Sequence, residues 1–132
     1  MAEQSTQPAV LVVDDEENFL VLLDRILSRE GYQVITAGDG VQALAHADRQ
    51  KFRVAIVDIK MEPMTGVEVL AELKKRDATS QVIMISGYPT DDTRNECMKL
   101  GAAGYLTKPI EISELKSVLR HLMGAEQLLQ SR

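Results

Sequence analysis

The chain has 132 residues, 45% of them hydrophobic and 27% charged, with a formal net charge of −5. That is the make-up of one globular domain with a single core. The negative charge argues against non-specific binding to nucleic acid or an anionic membrane, and 4% aromatic content without tryptophan argues against a base-stacking surface. One cysteine, Cys97, excludes an intramolecular disulfide and reads as a small core residue.

Residues 1–7 are polar and lack the order of a signal or transit peptide, so a disordered N-terminal tail and a cytoplasmic location are expected. Residues 9–13, Ala-Val-Leu-Val-Val, are too short for a helix and do not alternate with polar residues, which predicts a strand covered on both faces. Phe19, Leu23, Ile26 and Leu27 fall at i, i+4, i+7 and i+8, the stripe of a helix ending near Gly31. Residues 33–37 are a second strand. The turn signal Gly38-Asp39-Gly40 then leads into a short alanine-rich helix over 41–49.

A third strand, 54–57, is again continuously apolar. Thr65 and Glu68 form an S/T-x-x-E capping box, which starts a helix running through Val69, Leu70 and Leu73. Strand four covers 82–85, helix four 90–100 with Gly101 as its stop, and the weakest strand 104–106. Helix five covers 111–123, with Leu115, Val118, Leu119 and Leu122 on one side. The domain is therefore expected over 8–123, and 124–132 as a tail or the start of a linker, with Leu128 and Leu129 able to continue an amphipathic helix. No apolar run nears the ~20 residues that span a bilayer.

Five strands alternating with five helices through short connections predict an α/β fold, (βα)5, a doubly wound parallel sheet with right-handed crossovers. Ligands of such sheets bind beyond the carboxyl ends of the strands. Asp14 and Asp15 follow strand one, Asp58 ends strand three, Ser86 ends strand four and Lys108 follows strand five. Three carboxylates gathered there repel unless protonated or neutralised by a cation, and all-oxygen donors with room for water suit Mg²⁺. Lys108 adds a mobile positive charge and Ser86 a hydroxyl donor. Asp58, its backbone fixed by a core strand, reads as a carboxylate nucleophile that would form an acyl phosphate. Taken singly, each of these residues also reads as a helix cap or a turn residue; the weight lies in their joint occurrence at one sheet edge.

The segments Val12-Val13-Asp14-Asp15-Glu16, Val57-Asp58-Ile59-Lys60-Met61, Met64-Thr65-Gly66, Ile85-Ser86-Gly87 and Gly101-Ala102-Ala103-Gly104-Tyr105-Leu106-Thr107-Lys108-Pro109 resemble the receiver domains of two-component response regulators. The resemblance covers nearly the whole chain. It implies a flavodoxin-like strand order, 2-1-3-4-5, and a switch that takes a phosphoryl group from the phosphohistidine of a sensor histidine kinase or phosphotransfer protein. By that resemblance Asp58 is the acceptor. Asp15, Asp58 and the Lys60 backbone carbonyl would bind Mg²⁺ directly, and Asp14 through water. Ser86 would be the switch hydroxyl, Tyr105 the aromatic that follows it, and Lys108 the phosphoryl contact, joined to Pro109 by a cis bond. Lys60 and Tyr88 would tune the lifetime of the phosphorylated state.

The resemblance further implies that helix four, strand five and helix five form the face that controls a downstream output protein or domain, and it admits a homodimer there. Such a chain would catalyse only its own phosphorylation and autodephosphorylation. One departure stands out: receivers usually carry Met-Pro where this chain has Met61-Glu62, with Pro63 one place later. An aspartate-dependent phosphatase on a similar sheet is the competing enzymatic reading, but its Asp-x-Asp pattern would need an acid at position 60, which is Lys. No G-x-G-x-x-G or G-x-x-x-x-G-K-[ST] motif is present. A degenerate receiver signalling without phosphate is disfavoured, because all five key positions carry competent residues. His46 and His121 have no ligand-like spacing and read as structural.

Overall fold

In a computed structural model of the protein, residues 9–131 are described, with side chains as far as Gly124. The expected tail at 1–7 lies outside the described residues. The described residues form β1 (Ala9–Val13), α1 (Glu17–Arg29), β2 (Gln33–Ala37), α2 (Gly40–Arg49), β3 (Val54–Asp58), α3 (Gly66–Arg76), β4 (Gln81–Ser86), α4 (Asp91–Lys99), β5 (Gly104–Thr107) and α5 (Ile112–Ser131). All pairings are parallel, in the order β2-β1-β3-β4-β5, so the expected (βα)5 sheet holds.

The continuous apolar character of β1, β3 and β4 has a direct cause. Alternate residues of each strand feed opposite cores. Leu11, Val13, Ala55, Val57, Val82 and Met84 join Leu70 and Leu73 of α3 and Cys97 of α4 on one face. Val10, Val12, Val54, Ile56, Ile83 and Ile85 meet Leu23 and Leu27 of α1 and Leu115 and Leu119 of α5 on the other. With both faces covered, polar groups reach the surface only where strands end.

Local signals set the boundaries. Asp39 caps α2 by accepting the Gln42 N–H at 2.8 Å, and both halves of the Thr65–Glu68 capping box are formed. Gly31 (φ 97°) and Gly101 (φ 98°) take the left-handed conformation after α1 and α4, where a side chain would be strained. Helix α5 runs on to Ser131, past the 111–123 expected for helix five and along the stretch where Leu128 and Leu129 could continue an amphipathic helix. Gly124 inside a helix costs about 1 kcal/mol, too little to end it alone. Among the described residues no helix is long and apolar enough to cross a membrane.

Candidate functional site

At the carboxyl ends of the strands, each exit is tied to its neighbour. The Asp14 N–H donates to the Ala37 carbonyl at 3.1 Å, the Ile59 N–H to Ile85 at 2.9 Å, and the Lys108 N–H to Ser86 at 2.8 Å. The backbones beneath Asp14, Asp58, Ser86 and Lys108 thus hold one another in place. Gly66 locks the end of β3 further. Its N–H donates to the Ile59 carbonyl at 2.8 Å, and a Cβ there would collide with the Asp58 carbonyl oxygen and lie 2.6 Å from Ile59 Cα. Helix α3 therefore starts in direct contact with the backbone of Asp58.

Asp14 and Asp58 are buried and Asp15 is exposed; one carboxylate oxygen from each lies within 4.8 Å of the others. Asp14 accepts the Glu16 N–H at 2.8 Å through Oδ1 and the Lys108 ammonium at 2.8 Å through Oδ2. Lys108 Nζ also lies 3.0 Å from Glu16 Oε1 and 3.8 Å from Asp58 Oδ1. Ser86 Oγ accepts the Tyr88 N–H at 3.1 Å. An open cleft of about 850 Å³ runs from this floor between the β3–α3 and β4–α4 loops and includes Asp58, Lys60, Ser86, Tyr88 and Lys108 in its lining.

The electrostatics follow from burial. Burial first, then the charge of Asp14, pushes the Asp58 carboxyl from 3.8 up to about 6, against the pull of Lys108. Burial likewise raises Asp14, opposed by its hydrogen bond from Lys108. For Lys108 burial acts downward, but the hydrogen bonds to Asp14 and Glu16 outweigh it and hold the ammonium above its ordinary value. Negative charge here exceeds what one lysine neutralises. A compact set of hard oxygen donors with excess negative charge fits a hard divalent cation that keeps several waters.

The remaining expected residues lie around this centre. Lys60 and Tyr88 are exposed on facing loops, with Lys60 Nζ 5.3 Å from the Tyr88 ring centroid. Tyr105 is half-buried against the α2–α4 core, its hydroxyl buried without a hydrogen-bond partner among the described residues and its ring under the Arg94 guanidinium at 5.3 Å. The Lys108–Pro109 and Glu62–Pro63 bonds are both cis. Cys97 is fully buried, His46 is half-buried and His121 exposed, and neither histidine lines the cleft.

Sequence reading gave no role to Glu16, Gly66 or Phe19. Glu16 was one letter of a motif, yet it grips Lys108. By spacing Phe19 belongs to the apolar stripe, yet its ring centroid lies 4.6 Å from Lys108 Nζ. The one available signal was a third acid beside an acidic pair awaiting a lysine.

Residues 10–120 match the sequence model of the response regulator receiver domain. The chain belongs to this family. It is 32% identical over 111 residues to the sporulation initiation phosphotransferase F of Bacillus subtilis, covering 84% of this chain and 90% of that protein. Of several transcriptional regulatory proteins it also matches, this receiver spans only 26% to 51% of the length. A response regulator TrrA of Thermotoga maritima, solved in complex with Mg²⁺ and beryllofluoride, superposes with a TM-score of 0.79 at 32% identity, covering 88% of this chain and 99% of that one. A response regulator of Burkholderia pseudomallei with a phosphorylated aspartic acid and a calcium ion superposes with a TM-score of 0.81 at 29% identity, covering 96% and 76%.

Proposed function

We propose that this receiver is a phosphorylation-controlled switch that accepts a phosphoryl group on Asp58. The observation that carries the reading is a buried carboxylate at the end of a core strand, with two further carboxylates within ligand range and an ammonium 3.8 Å away. Asp14, Asp15 and Asp58, with the Lys60 backbone carbonyl, would hold Mg²⁺. The bound ion supplies charge neutralisation at the phosphoryl oxygens. Support for metal and acceptor comes from the related receivers with Mg²⁺ and with a phosphorylated aspartate.

In the transfer, an Asp58 oxygen attacks the phosphorus of a phosphohistidine on a sensor kinase or phosphotransfer protein. The P–N bond breaks, the imidazole leaves with the bonding pair, and an acyl phosphate forms. Lys108 moves onto the phosphoryl oxygens as charge develops there. Ser86 gives up the Tyr88 N–H to donate its hydroxyl proton to the same group. Tyr105 follows Ser86 and alters the α4–β5–α5 face, which governs an output protein or domain and is the surface of any homodimer. The domain so defined spans 8–123.

Hydrolysis returns Asp58 when water attacks phosphorus, with no external substrate turned over. Lys60 and Tyr88, paired across the cleft mouth, would flank the path of that water. Replacing either alters the decay rate of the phosphorylated protein while leaving phosphorylation intact; unchanged decay in both variants removes their role. The reading as a whole is tested with Mg²⁺ and acetyl phosphate. Wild type gains a base-labile phosphoryl adduct and Asp58→Asn does not. No adduct on wild type, or equal labelling of the variant, overturns it.

A further inference from the structure

The position of Lys108 is the least explained feature of the site. A lysine that serves a phosphoryl group on Asp58 would be expected to rest against Asp58. Instead its ammonium lies 2.8 Å from Asp14 Oδ2 and 3.0 Å from Glu16 Oε1, and only then 3.8 Å from Asp58 Oδ1. On a further side it meets the Phe19 ring, 4.6 Å from the centroid.

These partners come from one short piece of chain with little freedom. The Asp14 carboxylate that accepts from Lys108 through Oδ2 accepts the Glu16 N–H through Oδ1 at 2.8 Å. The Glu16 carbonyl in turn accepts the Phe19 N–H at 3.1 Å and the Leu20 N–H at 3.2 Å. Glu16 is the N-cap of α1 and Phe19 lies in its first turn, packed against the core that Leu23 and Leu27 anchor. The anion, the second anion and the ring are thus presented together by the entry to α1.

We infer that Glu16 and Phe19 form, with Asp14, a resting cradle for Lys108 that competes with the phosphoryl group for its ammonium. Both are positioning residues: they act only through Lys108. The inference rests on the reading of Asp58 as acceptor and adds to it a determinant of how readily the site charges. An ammonium over an aromatic face gains electrostatically from the ring quadrupole, which an aliphatic side chain of similar volume does not offer. Glu16 is two-thirds exposed, so its share is modest and screened by salt. The ring's share depends far less on salt.

Two measurements test the cradle. In the free protein carrying lysine ¹³C-labelled at Cε, the Lys108 ε-methylene, bonded to an ammonium 4.6 Å from the Phe19 ring centroid, is expected to resonate upfield. Phe19→Leu abolishes that displacement and Phe19→Tyr, which keeps the ring, retains it. With Mg²⁺ present, beryllofluoride as phosphoryl mimic binds Phe19→Leu and Glu16→Gln about two- to fivefold more tightly than wild type, the gain for Glu16→Gln shrinking in high salt. Phe19→Tyr binds as wild type does.

A Lys108 signal without ring displacement in wild type overturns the cradle. So does Phe19→Leu binding the mimic no more tightly than Phe19→Tyr, whether equally or more weakly. Glu16→Gln perturbs only an exposed side chain and keeps the binding test decisive if Phe19→Leu folds poorly. Wild type that binds no beryllofluoride defeats the reading of Asp58 as acceptor, and the cradle is then decided by the ring-shifted signal of the free protein.

Discussion

Helices α1 and α4 each follow a strand that ends in the site, and each stops at a glycine of positive φ, but they are held very differently. Helix α1 buries Leu23 and Leu27 completely and packs Phe19, Leu20 and Ile26 partly into the core. Helix α4 is Asp-Asp-Thr-Arg-Asn-Glu-Cys-Met-Lys and buries only Cys97. Full burial of a leucine is worth about 1.5–3 kcal/mol, so α1 is anchored by several kcal/mol more than α4. A helix tied down by one small side chain opens at low free energy. The division suits a switch: the side that presents Asp14, Glu16 and the lysine cradle is fixed, and the side that adjoins Tyr105 is free to respond.

The largest expected effect tests that division directly. Leu23→Ala lowers the free energy of unfolding by about 2–5 kcal/mol in a urea titration, whereas Cys97→Ala lowers it by only about 1 kcal/mol, the worth of one small apolar group. Amide exchange in α4 is correspondingly faster than in α1. Equal losses from the two substitutions, or equal protection of the two helices, would erase the comparison.

Next in size is Gly66→Ala. The new methyl meets backbone at Asp58 and Ile59, which cannot rotate away as a flexible side chain does. Overpacking of this kind costs about 1–3 kcal/mol, and here it also displaces the acceptor, so labelling by acetyl phosphate slows as stability falls. Gly87, with nothing within 4 Å of an added Cβ, is the control: Gly87→Ala changes stability by no more than about 0.5 kcal/mol. A Gly66→Ala protein as stable and as readily labelled as the Gly87 variant would show that α3 does not brace Asp58.

Asp58 itself gives a pH signature. Its carboxyl titrates near 6 in the folded protein against 3.8 when exposed, so between those values the folded chain keeps a proton that the unfolded chain has lost. The stability contributed by that proton is complete below about pH 3.8 and is lost as pH rises through about 6. Asp58→Asn carries no such loss and is more stable than wild type at pH 7, by on the order of 2 kcal/mol. Added Mg²⁺ narrows the gap by stabilising wild type. Identical pH–stability curves for the two proteins, measured without Mg²⁺, would refute the upward push that burial and then the charge of Asp14 give the Asp58 carboxyl.

How far the sequence was legible follows the same division. The strands β1, β3 and β4 could be read because two-sided burial leaves continuous apolar runs, and the acidic and lysine positions because they stand where those runs stop. Helix α1 declared itself by spacing, α3 by its capping box. The extension of α5 to Ser131 was only half legible: Leu128 and Leu129 allow the helix to continue, but a glycine that does not stop a helix looks like one that does. The partners of Lys108 were not legible either. Lys108 and Phe19 are 89 positions apart in the chain, and a ring facing an ammonium leaves no periodic trace: by spacing Phe19 is one more apolar residue. The loose attachment of α4 could be read only as the absence of a stripe.

The smallest expected effect belongs to the responsive side. The Tyr105 hydroxyl is buried without a partner among the described residues, and an unsatisfied buried hydroxyl costs about 1–3 kcal/mol, whereas its removal with the surrounding shape kept does not. Tyr105→Phe keeps the ring against the core and under Arg94, and it removes the one group that favours turning outward to water. The variant is therefore more stable than wild type by about 1 kcal/mol in urea, and its α4 amides exchange more slowly, bringing α4 closer to α1. The Arg94 contact sits at an exposed guanidinium and is worth about 0.5–1 kcal/mol, so Arg94→Ala moves stability the other way by that amount. Loss of stability in Tyr105→Phe would mean that the hydroxyl is satisfied where it lies, leaving burial of the ring without the opposing cost that lets this side of the receiver move.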